Sequence, residues 1–151
     1  MLLKNFIRTL PAFADFTESE AEHLAQAMRV EDYPDGHVFV YQGKQGREVF
    51  LLIEGEVRLC RYGDDGRGHD IKVLKSGELF ELLSLSDRGP AAATCIARGK
   101  VKVASLPYTA FDLLLDTAAP IANHFRYAVA CQLARDLHDR NQSLRGLLHS
   151  H

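Results

Sequence analysis

The residues of this chain with intrinsic reactivity are spaced in ways that assign them little chemistry. Cys60, Cys95 and Cys131 lie far apart and form no C-x-x-C pair, so nothing signals zinc or an iron–sulfur cluster, and the three read as small buried hydrophobes. The seven histidines are scattered too, with His149 and His151 at the C-terminal end. No spacing pairs His37, His124 or His138 with a cysteine as haem ligands. Asp64, Asp65, His69 and Asp70 form a small acid–base cluster, but Gly63 and Gly66 place it in a turn, where carboxylates are solvated. The G-x-S-x-G, H-E-x-x-H, P-loop and G-x-G-x-x-G patterns do not occur. The expectation is a non-enzyme with no catalytic residue and no metal.

Composition agrees with a regulatory or binding role. The chain has 151 residues, 46% hydrophobic and 25% charged, enough for one domain with a real core. A formal net charge of -2 gives no general attraction to nucleic acid or an anionic membrane. No apolar run approaches the roughly 20 residues that span a bilayer. Met1 to Arg8 lacks a signal-peptide h-region. A cytoplasmic protein without membrane attachment is expected.

Periodicity divides residues 1–151 into three stretches of one folded unit. Thr17 and Glu20 have capping-box spacing, followed by apolar residues three and four apart at Ala21, Leu24, Ala25 and Met28, which predicts a helix ending near Arg29. Residues 30–106 then carry short β-branched or aromatic runs between glycine turns: Val38–Tyr41, Val49–Ile53, Val57–Arg61, Ile71–Leu74, Ala93–Ala97 and Val101–Ser105. That rhythm predicts an antiparallel sandwich or barrel. After a short helix around Phe111–Leu115, residues 117–148 read as a long helix with Pro120 in its first turn. Its apolar stripe is Ile121, Phe125, Val129, Leu133, Leu137, Leu144 and Leu148. A stripe this long exceeds what a small domain covers, so the helix is expected to pair with its copy in a homodimer. Packing back on its own barrel is the alternative.

The order helix, barrel, short helix, long helix resembles the cyclic-nucleotide-binding domain, as found in CRP–FNR regulators and cAMP-dependent kinase regulatory subunits. Asp35-Gly36-His37-Val38-Phe39-Val40-Tyr41-Gln42-Gly43 is similar to the family's G-x-x-(I/V)-(F/Y)-x-x-G hairpin. Val49 to Leu59 resembles its (L/V)-(Y/F)-x-(I/L)-x-x-G-x-V pair. Gly77-Glu78-Leu79-Phe80 resembles the opening of the phosphate-binding cassette, and Pro90-Ala91-Ala92-Ala93-Thr94 the stretch that closes it. The resemblance implies an α+β, mainly β fold: an eight-stranded antiparallel β-roll of jelly-roll type, with N-terminal helices and a long C-terminal helix.

It also implies a ligand site with a gap in it. Family cassettes hold a cyclic phosphate on free backbone N–H groups and an arginine, and hold the ribose 2′-hydroxyl on a glutamate. The corresponding residues here are Gly77, Leu79, Phe80, Glu81, Leu82, Leu83, Arg88, Ala91 and Ala92. The arginine position falls on Ala91. The glutamate position falls on Leu82 in one register and on Glu81 in the other, and the sequence leaves both open. Losing one partner of a buried charge pair costs about 3–5 kcal/mol, two to three decades or more in affinity. The implied function is a regulatory module with weak or no binding of cAMP or cGMP, acting through dimerisation or docking to an effector protein. A working cAMP or cGMP sensor that uses Glu81, Arg88 and backbone amides is the alternative, or a transcription regulator of the CRP–FNR type lacking its DNA-binding domain. CRP–FNR regulators carry a helix-turn-helix after the long helix, and only three residues follow Leu148, so no direct DNA binding is expected.

Overall fold

The computed structural model describes residues 1–82, 89–117 and 119–149, with the side chains of 140 and 143–149 left aside. Leu83 and Arg88 lie outside the described residues. Two helices open the chain, α1 (Leu3–Thr9) and α2 (Glu18–Ala27), joined by a 3-10 turn at Pro11–Phe13. The expected capping box starts α2: the Glu20 amide donates to Thr17 Oγ1 (3.1 Å) and the Thr17 amide to Glu20 Oε1 (3.0 Å). The helix stops at Ala27, because Arg29 already begins β1 (Arg29–Tyr33).

Five more strands follow: β2 (Val38–Val40), β3 (Glu48–Tyr62), β4 (Gly68–Leu74), β5 (Leu79–Phe80) and β6 (Thr94–Pro107). All pairings are antiparallel. The order is β1-β6-β3-β4, with β2 also on β6 and β5 also on β3. Among the described residues there are thus six strands where eight were expected. The difference lies in two corners. Val49–Ile53 and Val57–Arg61 belong to one 15-residue strand, and the two expected segments of β6 to one of 14 residues. Gly55 (φ +93°) and Gly99 (φ +75°) take the bends where the pairing jumps from Glu54↔Lys102 to Glu56↔Arg98. Positive φ costs glycine little, so each strand bends without ending. Each half still pairs with a different short strand, which preserves the roll.

Burial follows from this arrangement. Along β3, Val49 and Leu51 face the helices while Phe50 and Leu52 face the roll interior, which is why the run is apolar throughout rather than alternating. The interior also holds Val40, Val57, Leu74, Phe80, Ala91, Cys95, Ala97, Val101 and Val103. The helical layer adds α3 (Tyr108–Asp116) and α4 (Pro120–His149). Ile121, Phe125 and Val129 are buried there with Ile7, Phe13 and Leu24, and Leu133 packs against the same cluster. This corrects the expectation that the whole stripe forms a dimer seam: its first half covers its own roll. Leu137 is 53% exposed, while the side chains of Leu144 and Leu148 lie outside the described residues.

Candidate ligand-binding cassette

The cassette begins where β3 fixes its start. Gly77 N donates to Leu52 O (2.7 Å) and Leu52 N to Glu78 O (3.0 Å), and Ser76 Oγ donates to Ile53 O (2.7 Å). Gly77 has φ +94°, and a Cβ there would come within 2.9 Å of Leu10 Cδ2. Leu79 and Phe80 then form β5 against Leu51 and Phe50.

At Glu81 the backbone turns. Its φ of +73° is the one positive value on a non-glycine residue among the described residues. The turn sends neighbouring side chains to opposite layers. Phe80 enters the roll and stacks on Phe50 at 5.0 Å, with Phe39 5.5 Å away. Glu81 also enters the roll, where Cys95 Sγ donates to its Oε1 at 3.3 Å and Oε2 lies 3.5 Å from where a Cβ on Gly46 would stand. Leu82 turns the other way and is buried among the helices. Of the two registers left open by the sequence, the side chain directed into the roll is that of Glu81. Burial and the adjacent Glu81 carboxylate push the Cys95 thiol well above its ordinary value, so it remains a donor.

The closing segment is tied down through its backbone. Ala91 N donates to Lys44 O and Gly43 N to Ala91 O, both at 2.8 Å, and Gln42 N donates to Thr94 Oγ1 at 2.9 Å. The Ala91 methyl is buried in the roll, while Ala92 is exposed and its carbonyl accepts from Arg61 Nε at 3.3 Å. A cleft of about 480 Å³ opens beside this region, lined by Phe39, Val40, Gln45, Gly46, Arg47, Glu48, Phe50 and Pro107.

A second set of groups, which the sequence did not single out, couples the cassette to α4. Gln132 is 4% exposed; its Oε1 accepts from Leu79 N (3.0 Å) and its Nε2 donates to Asp136 Oδ1 (3.0 Å). The Glu78 carboxylate accepts from Lys75 N (2.8 Å) and lies 3.0 Å from Lys72 Nζ and 3.9 Å from Arg135 Nη1. Lys72 also pairs with Asp139. Burial alone would lower the Lys72 value, but the Asp139 and Glu78 carboxylates outweigh it and the net shift is upward. Burial raises Asp136 above the ordinary carboxylate range against the pull of Gln132 and Lys72. Residues 132, 135, 136 and 139 share one helix face, a spacing visible in the sequence once the partner is known.

Among the described residues, no group of His, Cys, Asp and Glu could hold a metal ion, and no helix is long and apolar enough to cross a membrane.

Comparison with known proteins places this geometry. A cAMP-dependent protein kinase regulatory subunit of Pyricularia oryzae is 32% identical over 83% of this chain, which spans 32% of that relative's length. The chain thus corresponds to about a third of the fungal subunits it matches. Among solved structures, the Thermus thermophilus catabolite activator protein superposes with a TM-score of 0.75 at 28% identity, over 91% of this chain and 62% of the other. The regulatory domain of Toxoplasma gondii PKA, solved with cAMP, gives 0.74 at 25% identity, over 91% of this chain and 49% of the other. These relatives are regulatory proteins and domains rather than catalytic ones. Residues 30–118 match the cyclic nucleotide-binding domain family, from β1 to just past α3, and the chain belongs to that family.

Proposed function

We propose that this chain is a regulatory module in which the cassette has lost its cyclic-phosphate anchor, so that cAMP and cGMP bind weakly or not at all. The observation that carries the reading is Ala91. A buried methyl stands where family members place an arginine, and the Ala91 N–H and C=O are both committed to the Gly43–Lys44 loop. An amide donating to Lys44 O has no proton left for a phosphate oxygen. Arg61 is exposed and held by the Ala92 carbonyl.

The module acts through protein contacts. The Gln132 and Lys72–Glu78–Asp139 links make the position of α4 depend on the position of the cassette, so a change at one is felt at the other. Leu137 on α4 is exposed and offers a surface for a second copy or for an effector, and a homodimer through Leu137, Leu144 and Leu148 is the simplest arrangement.

Isothermal titration of cAMP and cGMP into the purified chain, its Ala91→Arg variant and its Arg88→Ala variant tests the cassette reading. The expected result is no heat at micromolar ligand in the parent and binding tighter by at least about two decades in Ala91→Arg. Micromolar binding in the parent refutes the reading. Loss of that binding in Arg88→Ala would then identify Arg88 as the phosphate partner.

A further inference from the structure

We infer that a second ligand site lies between the cassette entrance and α4, and that it takes a small uncharged aromatic carbonyl compound, an aryl ketone or amide. A cavity of about 230 Å³ stands where three parts of the chain meet: the turn at Leu10–Phe13, the cassette start at Ser76, Gly77 and Leu79, and α4 at Ala128, Gln132 and Arg135. Phe13, Leu79 and Ala128 belong to the helical cluster and not to the roll interior. The cavity shares no residue with the 480 Å³ cleft, and its argument needs nothing of the Ala91 reading. An apolar cavity of about 150 Å³ holds a benzene molecule, so this one has room for a ring and a short substituent.

The lining sets the chemistry of the ligand. Leu10, Phe13, Leu79 and Ala128 form an apolar wall, and the Phe13 ring suits another ring. The polar wall is made of donors. Gln132 is 4% exposed, and a side-chain amide has two N–H protons. One goes to Asp136 Oδ1, and no acceptor among the described residues takes the other. The Arg135 guanidinium is half exposed, and its contact with Glu78 Oε1 at 3.9 Å is longer than a hydrogen bond. The ligand must therefore bring an acceptor. That acceptor is uncharged, because both donors already stand beside a carboxylate: Asp136 at Gln132 and Glu78 at Arg135. A ligand carboxylate would be repelled by both, whereas a carbonyl oxygen accepts without adding charge. Such a ligand touches the cassette start and α4 together, next to the bond from Leu79 N to Gln132 Oε1, so its binding should tighten that link.

Titration of the whole isotope-labelled chain, followed by amide NMR, with acetophenone, benzamide, benzoate and α-methylstyrene tests this. The last has the shape of acetophenone with a CH₂ in place of the carbonyl oxygen. Acetophenone or benzamide should shift the Leu79 and Ala128 amides saturably and slow hydrogen exchange at Leu79. Both α-methylstyrene and benzoate should bind about ten-fold more weakly or worse. Arg135→Met should lose a similar factor for acetophenone while its thermal melt stays cooperative. Because the ligand series leaves the protein unchanged, it decides the question even if that variant fails to fold. Equal binding of α-methylstyrene and acetophenone overturns the carbonyl contact. Tighter binding of benzoate overturns the uncharged class. Silence at Leu79 and Ala128 up to millimolar ligand, or shifts confined to the cleft at Phe39 and Phe50, overturns the site.

Discussion

A Cβ on Gly55 would lie 2.6 Å from Lys100 O and 2.9 Å from Val101 Cγ1, at a φ of +93° that side-chain-bearing residues avoid. Gly66 has a comparable φ of +78° but nothing within 4 Å of its Cβ position. The pair separates conformational cost from collision. Gly66→Ala should destabilise by about 1 kcal/mol, the price of a left-handed alanine. Gly55→Ala adds a clash with backbone at the bend of β3 and should cost about 3 kcal/mol or more. Urea denaturation of both variants checks the order, and equal losses would mean that the bend at Gly55 relaxes freely. Ala91 and Glu81 belong to the same scale. The proposed loss of the arginine could be read from the sequence because Pro90 and Thr94 bracket Ala91. It left the glutamate register open because the choice depends on a positive φ at Glu81, and L-residues carry no visible mark of that conformation.

At the scale of elements, two carboxylates at α4, Glu20 packed against it and Asp136 on it, have opposite pH behaviour. Burial pushes Glu20 up, but hydrogen bonds from Thr17 and His124 outweigh it, so its folded value lies below the unfolded one; His124 Nδ1 is 3.0 Å from both Glu20 oxygens. Its contribution is complete above the unfolded carboxyl value of about 4.3 and disappears as pH falls through the lowered folded value. Glu20→Gln should therefore lower the melting temperature at pH 6, and the gap from the parent should close in that acid window. Asp136 has the reverse sign. Its folded value is raised, so its charge opposes folding at neutral pH, and stability recovers as pH falls through the folded value toward the unfolded one near about 3.9. Asp136→Asn should match or exceed the parent melting temperature at pH 7 and lose that advantage on acidification. Gln132 gives the matching structural test. Gln132→Ala leaves the buried Leu79 amide without its acceptor, at a cost of about 1–3 kcal/mol, and hydrogen exchange at Leu79 should accelerate. Unchanged protection of that amide would show that α4 does not hold the cassette. The helices were legible from their periodicity and the Thr17–Glu20 box. β1 was not, because Arg29-Val30-Glu31-Asp32-Tyr33 is largely exposed and charged, and it is a strand only by virtue of its pairing with Val101–Ser105 of β6.

For the molecule as a whole, α4 is the longest helix among the described residues. Thirty residues make a helix about 45 Å long. Its stripe reads as continuous in sequence, yet burial divides it: Ile121, Phe125 and Val129 are inside, and Leu137 is 53% exposed. A hydropathy pattern shows that a face is apolar and not which surface covers it, so the dimer seam was drawn too long at its near end. The proposed homodimer then depends on the far half, and the split makes it testable without damaging the fold. Leu137→Glu removes an apolar group from an exposed position and adds a charge that a helix–helix seam would have to desolvate twice, once from each copy. Sedimentation equilibrium should give a dimer for the parent and a monomer for Leu137→Glu, with circular dichroism unchanged. Val129→Glu should instead cause loss of folding, because it buries a charge in the protein's own core. A parent that sediments as a monomer across micromolar concentrations would rule out self-association and leave the exposed Leu137 on α4 to an effector protein.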